Sequence, residues 1–194
     1  NNAPIKKGDL LLCDAGAEYG FYASDITRTW PTNGRFNKAQ RELYDIVLAA
    51  QLECIGKAAV GVAYDVIHQA AVQVITDGLL SLGLLKGSLK KNIESAAYKK
   101  FYMHKTGHWI GLDVHDVGEY KLGGASRLLE PGMVFTVEPG LYIAPGTPGV
   151  PDKYQGIGIR IEDDVLMTAK GPEVISDGVP KTVDAIESLM ASAR

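Results

Sequence analysis

Residues 14–30 read DAGAEYGFYASDITRTW. Two β-prone runs flank Glu18-Tyr19-Gly20-Phe21, the pattern of a hairpin. With Tyr19-Gly20 as its two-residue loop, Asp14 stands directly opposite Asp25, and both point to one side of the sheet. Opposed Cβ atoms lie about 4.5–5.5 Å apart. Two carboxylates at that separation repel, and burying them is very costly unless positive charge lies between them. A divalent cation resolves the conflict. Two polar residues at wet strand ends is the plainer reading, and the pair alone does not displace it. Cys13 takes the opposite face of its strand and reads as core.

Downstream, Asn33-Gly34 marks a turn. Leu43, Val47, Ala50 and Cys54 repeat at helical spacing within residues 38–60. A second helix is predicted over 64–82, with Ile67, Ala71, Val74 and Gly78 on one face and Gly83 and Gly87 at its end. His68 on this helix reads as exposed. Lys86, Lys90, Lys91, Lys99 and Lys100 read as a solvated helix face rather than a phosphate site. Residues 101–123 mix His, Gly and Asp without periodicity, as an irregular, site-bearing segment does. MVFTVEPGLYIAP is a buried strand interrupted by Glu138, and residues 145–156 are a loop. GIGIRIEDDVLMT is a strand with Ile157, Ile159 and Ile161 on one face and Arg160 and Glu162 on the other. Residues 183–194 form a short helix. Helices between strands, with a hairpin, predict an α+β layer fold.

The chain has 194 residues, 46% hydrophobic and 22% charged, with a formal charge of −3. That is the balance of a globular domain without the basic face of a nucleic-acid binder. No apolar run reaches the roughly 18–20 residues of a membrane span, and no leader is visible. Two cysteines make no disulfide framework, which favours a reducing compartment, the cytoplasm by default. The chain opens Asn1-Asn2-Ala3-Pro4 without an initiator Met and reads as a piece of something longer.

The remaining carboxylates sharpen the metal reading. Glu138 ends an apolar strand and needs a partner. Glu162 has Arg160 on its own face as a neutralising neighbour. Asp163 and Asp164 follow it, so one arginine is an incomplete account. Three of the four histidines, His104, His108 and His115, cluster among Gly107, Gly111 and Gly118. Four carboxylates in β context with one imidazole suit a hard or borderline cation such as Mn, Co or Zn. Several bridging carboxylates suggest two metals, and so a dinuclear metallohydrolase.

In order, DAGAEYGFYASDITRTW, HKTGHWIGLDVHDVG, LEPGMVFTVEPGLYI and GIGIRIEDDVLMT resemble the catalytic half of the Xaa-Pro aminopeptidases. These are pita-bread metallopeptidases, related to prolidase and methionine aminopeptidase. The likeness covers residues 8–190. It implies the pita-bread (creatinase/aminopeptidase) fold, a curved, mainly antiparallel sheet covered by helices. Residues 1–194 would be a partial catalytic domain, N-terminally truncated, with an upstream substrate-contacting His absent and a sheet edge exposed. The resemblance implies that Asp14, Asp25, His108, Glu138 and Glu162 bind two divalent metals, manganese first, cobalt or zinc as alternatives. It makes Glu138 the acid/base group, and His115 the residue that holds the substrate carbonyl. His104 would contact substrate, and Arg160 would orient neighbouring acids. Tyr142 is a weaker candidate.

The implied activity is hydrolysis of the N-terminal Xaa-Pro bond by a metal-bridging hydroxide, with the fragment alone weakly active or inactive. The implied partner is a peptide with Pro at its second position; no nucleic acid or membrane is expected. The full-length form is expected to be a homo-oligomer, a dimer or tetramer. Two rivals stand beside this reading. One is prolidase, an Xaa-Pro dipeptidase, and the other a non-catalytic pita-bread module that binds peptides or proteins.

Overall fold

Asn37 starts the first long helix. Its side chain accepts from Gln40 N at 2.9 Å, and Gln40 Oε1 accepts from Asn37 N at 2.9 Å, a reciprocal cap. The computed structural model describes residues 3–193. In chain order it contains β1 (Leu10–Ala15), β2 (Glu18–Tyr19), β3 (Tyr22–Ala23), β4 (Ile26–Pro31), α1 (Lys38–Lys57), α2 (Asp65–Ser81) and α3 (Leu89–Glu94). Then come β5 (Lys121–Leu122), β6 (Ala125–Ser126), β7 (Val134–Val137), β8 (Gly140–Tyr142), β9 (Gly158–Arg160), β10 (Asp163–Thr168), β11 (Gly171–Val174) and α4 (Val183–Ser192). The α+β reading holds, and both long helices lie where the apolar spacing puts them. No helix among the described residues is long and apolar enough to cross a membrane.

The helices and strands share one core. Leu43, Val47, Ala50 and Cys54 of α1 are buried with Ile67, Ala71, Ile75 and Leu79 of α2. Phe135, Val137, Leu141, Ile159, Ile161 and Val165 meet them from the strands. The lysines of residues 86–100 are exposed. Every strand pairing is antiparallel, in short ladders: β11-β10-β7, β1-β4, β8-β9, β2-β3 and β5-β6. Bonds across the breaks join them. Glu162 N donates to Thr27 O at 3.1 Å, and Thr29 exchanges bonds with Arg160. The two long apolar stretches each break once, at Glu138-Pro139 and at Ile161-Glu162. Each break leaves a glutamate, Glu138 and Glu162, facing one cavity.

Three expectations are corrected. The hairpin turns at Gly20-Phe21, not Tyr19-Gly20, with Tyr19 paired to Tyr22. Both turn residues have positive φ, 59° and 72°, the geometry of a right-twisted two-residue loop. Asp14 therefore pairs with Thr27, and Asp25 lies diagonally, two residues along. The shift moves the partner by two residues, so both aspartates keep the same face. Cys13 is exposed rather than core, because nothing among the described residues covers that face of β1. His68 is half-buried rather than exposed, because residues 102–106 pack against its side of α2.

Candidate metal centre

Four breaks in regular structure converge on one cavity of about 890 Å3. Asp14 comes from the end of β1, and Asp25 from just before β4. Glu138 lies between β7 and β8, and Glu162 between β9 and β10. His108 arrives on residues 104–111, which add to the edge of β7: Thr136 N donates to His108 O at 2.9 Å, and Trp109 bridges to Phe135. Gly107 makes this approach feasible, since a Cβ there would lie 1.9 Å from Thr136 O. Glu138 is anchored by its N–H, which donates to Thr106 O at 2.7 Å.

The His108 ring shows what the site lacks. Its Nδ1 lies 3.0 Å from Trp109 O. A carbonyl only accepts, so Nδ1 carries a proton and Nε2 is the ring nitrogen turned to the carboxylates. Nε2 faces Asp25 Oδ2 at 3.5 Å and Glu138 Oε1 at 3.7 Å. Asp25, His108 and Glu162 each offer a ligand atom within 4.8 Å of the other two.

One guanidinium serves this cluster. Arg160 pairs with Asp14 and lies 4.0 Å from Glu138 and 3.9 Å from Glu162. Its Nε donates to Thr27 Oγ1 at 3.1 Å, and the Thr27 hydroxyl donates to Glu162 Oε2. Four carboxylates outnumber it. Burial, with Glu138, Asp25 and Asp14 nearby, pushes Glu162 up to about 8. Burial also pushes Glu138 up to about 7, and burial with Asp14 raises Asp25. Protons compensate for missing positive charge. Hard oxygen donors with one imidazole, short of cationic charge, fit a divalent metal.

His104, His115 and Arg160 line the same cavity. His115 is exposed, and its ring stands edge-on to His108 at 4.3 Å. His104 Nδ1 donates to Lys105 O at 2.6 Å, which leaves Nε2 to accept from the Tyr142 hydroxyl at 2.9 Å. Tyr142 in turn accepts from Arg160 at 3.2 Å. The acidic run after Glu162 divides. Asp164 Oδ2 accepts from Asp25 N at 3.0 Å, and Asp163 turns away from the cavity. Sequence reasoning missed His68, Thr27 and Thr106. Thr27 could have been found from the alternation of β4, which puts it on the face of Asp25.

Residues 1–169 match metallopeptidase family M24. The Xaa-Pro aminopeptidase of Escherichia coli is 50% identical over 194 residues, which is 100% of this chain and 44% of that protein. The structure of Pseudomonas aeruginosa aminopeptidase PepP superposes with a TM-score of 0.98 at 56% identity, covering 100% of this chain and 44% of that one. Zinc-substituted E. coli aminopeptidase P in complex with product gives 0.95 at 49% identity, covering 99% and 43%. The chain spans less than half the length of these relatives, and over that span it has their fold.

Proposed function

The chain belongs to metallopeptidase family M24, and from that premise we propose that it carries the metal centre of an enzyme cleaving the bond between an N-terminal residue and a following proline. The observation that carries this reading is the convergence of Asp25, His108 and the buried Glu162, whose ligand atoms lie within 4.8 Å of one another. Asp14, Asp25, His108, Glu138 and Glu162 would hold two divalent cations, manganese before cobalt or zinc. Bound there, the cations supply Lewis acidity toward the scissile carbonyl and the attacking water. Glu138 takes the water's proton on a carboxylate oxygen and passes it to the proline nitrogen. His115 donates to the oxygen that gains charge. Arg160 steadies Asp14, and His104 borders the leaving side. The E. coli and Pseudomonas relatives, named as aminopeptidases, support this substrate class. Residues 1–194 are read as part of a larger catalytic domain. Free thiols at Cys13 and Cys54 support a reducing cytoplasm. The exposed Tyr19, Phe21 and Tyr22 support a homo-oligomer of the full-length form.

The test is metal content by elemental analysis after manganese loading, alongside hydrolysis of an Xaa-Pro-Xaa peptide. About two metals per chain are expected, and none in the double variant Asp25→Ala, Glu162→Ala. A folded chain that binds no metal overturns the reading and favours a peptide-binding module.

A further inference from the structure

The cavity continues past the carboxylates to the first turns of α2, where Asp65, His68 and Gln69 line it with Lys105 and Lys121. A row of rings backs this wall. Tyr142 to His104 is 5.4 Å between centroids, His104 to Tyr102 5.0 Å, and Tyr102 to His68 5.9 Å. His68 has no part in the reaction proposed above, yet it is held in one orientation.

Tyr102 is fully buried, and its hydroxyl meets Thr106 Oγ1 at 2.6 Å and no other described partner. Burial keeps Tyr102 protonated, so its O–H donates to Thr106. Thr106 is 2% exposed and has one proton of its own for its other neighbour, His68 Nδ1, at 2.8 Å. The reverse direction strands a hydroxyl proton in the core, unpaired and cut off from water. Nδ1 therefore accepts. Burial, with Lys105 and His104 nearby, holds the ring near a pKa of about 4, so it is neutral at pH 7. Its proton sits on Nε2, which bonds to none of the described residues.

We propose that His68 Nε2–H donates a hydrogen bond to a carbonyl or carboxylate oxygen of the substrate downstream of proline, and so favours peptides that continue beyond it. The proposal rests on the peptidase reading. An N-terminal residue has no chain before it, so the arm past His104 takes the leaving segment. Lys105 and Lys121 add positive charge along that arm, partly offset by Asp65. His68 is in this sense a specificity-determining residue.

The test compares wild type, His68→Leu and His68→Gln, metal-loaded, on Xaa-Pro, on Xaa-Pro-Xaa with free and amidated ends, and on a tetrapeptide. In His68→Leu, KM for the longer peptides is expected to rise about tenfold, the worth of one hydrogen bond, with kcat and the dipeptide KM changing less than about twofold. Glutamine, whose amide can donate, recovers part of the loss. If amidation removes the effect, the partner is the terminal carboxylate; if the effect survives, it is a main-chain carbonyl. Nitrogen-15 NMR of the His68 ring gives a readout without turnover. The Nε2–H tautomer is expected at neutral pH, and that proton should shift when a Pro-Xaa-Xaa peptide is added. An Nδ1–H tautomer, or losses equal at every peptide length, overturns the proposal and leaves His68 a strut for Thr106. If folded wild type binds no metal, the peptidase reading fails separately; where it binds metal without turnover, a missing NMR shift overturns the role of His68.

Discussion

Glu162 and Asp163 are neighbours in sequence, both almost fully buried at 1% and 0% exposure, yet their surroundings are opposite. Asp163 meets Arg28 at 2.7 Å, Lys181 at 2.6 Å, Ser176 at 2.7 Å and Gln51 at 2.6 Å. Burial alone would raise its pKa, but Lys181 and Arg28 outweigh burial and hold it low. Glu162, one residue back, shares a single guanidinium with three other carboxylates and keeps its proton well into the neutral range. One acid is satisfied by the fold; the other is left wanting a cation. The deficit, not the burial, marks the site.

The largest expected effect comes from breaking the satisfied side. Asp163→Ala leaves Arg28 and Lys181 uncompensated, and Arg28 is 5% exposed. Urea unfolding should show a loss of about 3–5 kcal/mol, with or without metal. A loss under about 1 kcal/mol would mean that the network contributes no more than a surface pair, and the contrast would collapse.

A smaller effect, opposite in sign, is expected from Glu162→Gln in the metal-free chain. The folded pKa of Glu162 lies above its ordinary value of 4.5, at about 8. The native state thus holds a proton that the unfolded chain releases, and metal-free stability falls as pH rises from 4.5 through about 8. Glu138 acts the same way up to about 7. His68 works the other way, adding stability as pH rises from about 4 to 6.5, so the decline is cleanest above that. Thermal unfolding should therefore show metal-free wild type losing stability between pH 6.5 and 8.5. The Gln variant should decline less, gaining on the order of 1–2 kcal/mol at the upper end. Manganese should abolish the decline in wild type alone. A flat metal-free profile would show that the carboxylates are already compensated.

Only the unsatisfied side of this contrast is readable from the sequence, and the limit has physical causes. Glu138 and Glu162 stood out because a carboxylate in an apolar strand conflicts with its neighbours. Asp14 and Asp25 were placed on one face despite a misplaced turn, because strand faces alternate with a period of two. The turn was misplaced because a bulky residue such as Phe21 rarely takes positive φ. The roles of Asp163 and Asp164 depend on Arg28, Lys181 and Ser176, which are far off in sequence. His68 was misjudged for a similar reason. Its helix shows an apolar face through Ile67, Ala71 and Ile75, but residues 101–123 have no period to say which side of α2 they cover. Cys13 failed as core because a strand pattern cannot tell which of two faces is covered.

The smallest expected effect lies on the border between reacting groups and scaffold, at Tyr142. Its hydroxyl has one proton and two neighbours, Arg160 Nη1 at 3.2 Å and His104 Nε2 at 2.9 Å. A guanidinium has no acceptor, so Tyr142 accepts from Arg160 and donates to His104. Tyr142→Phe removes both bonds but leaves the Arg160–Asp14 pair and every proposed ligand in place. Metal content should therefore match wild type, unlike that of Glu162→Gln. His104 keeps its bond to Lys105 O and loses only the one at Nε2, so kcat should drop by roughly tenfold at most, about one hydrogen bond's worth. Full metal with a small kcat loss would place Tyr142 and His104 outside the cation-deficient cluster. Loss of metal in Tyr142→Phe would extend that cluster outward, because the Arg160 bond to Tyr142 would then be part of what holds Asp14 in reach of Asp25.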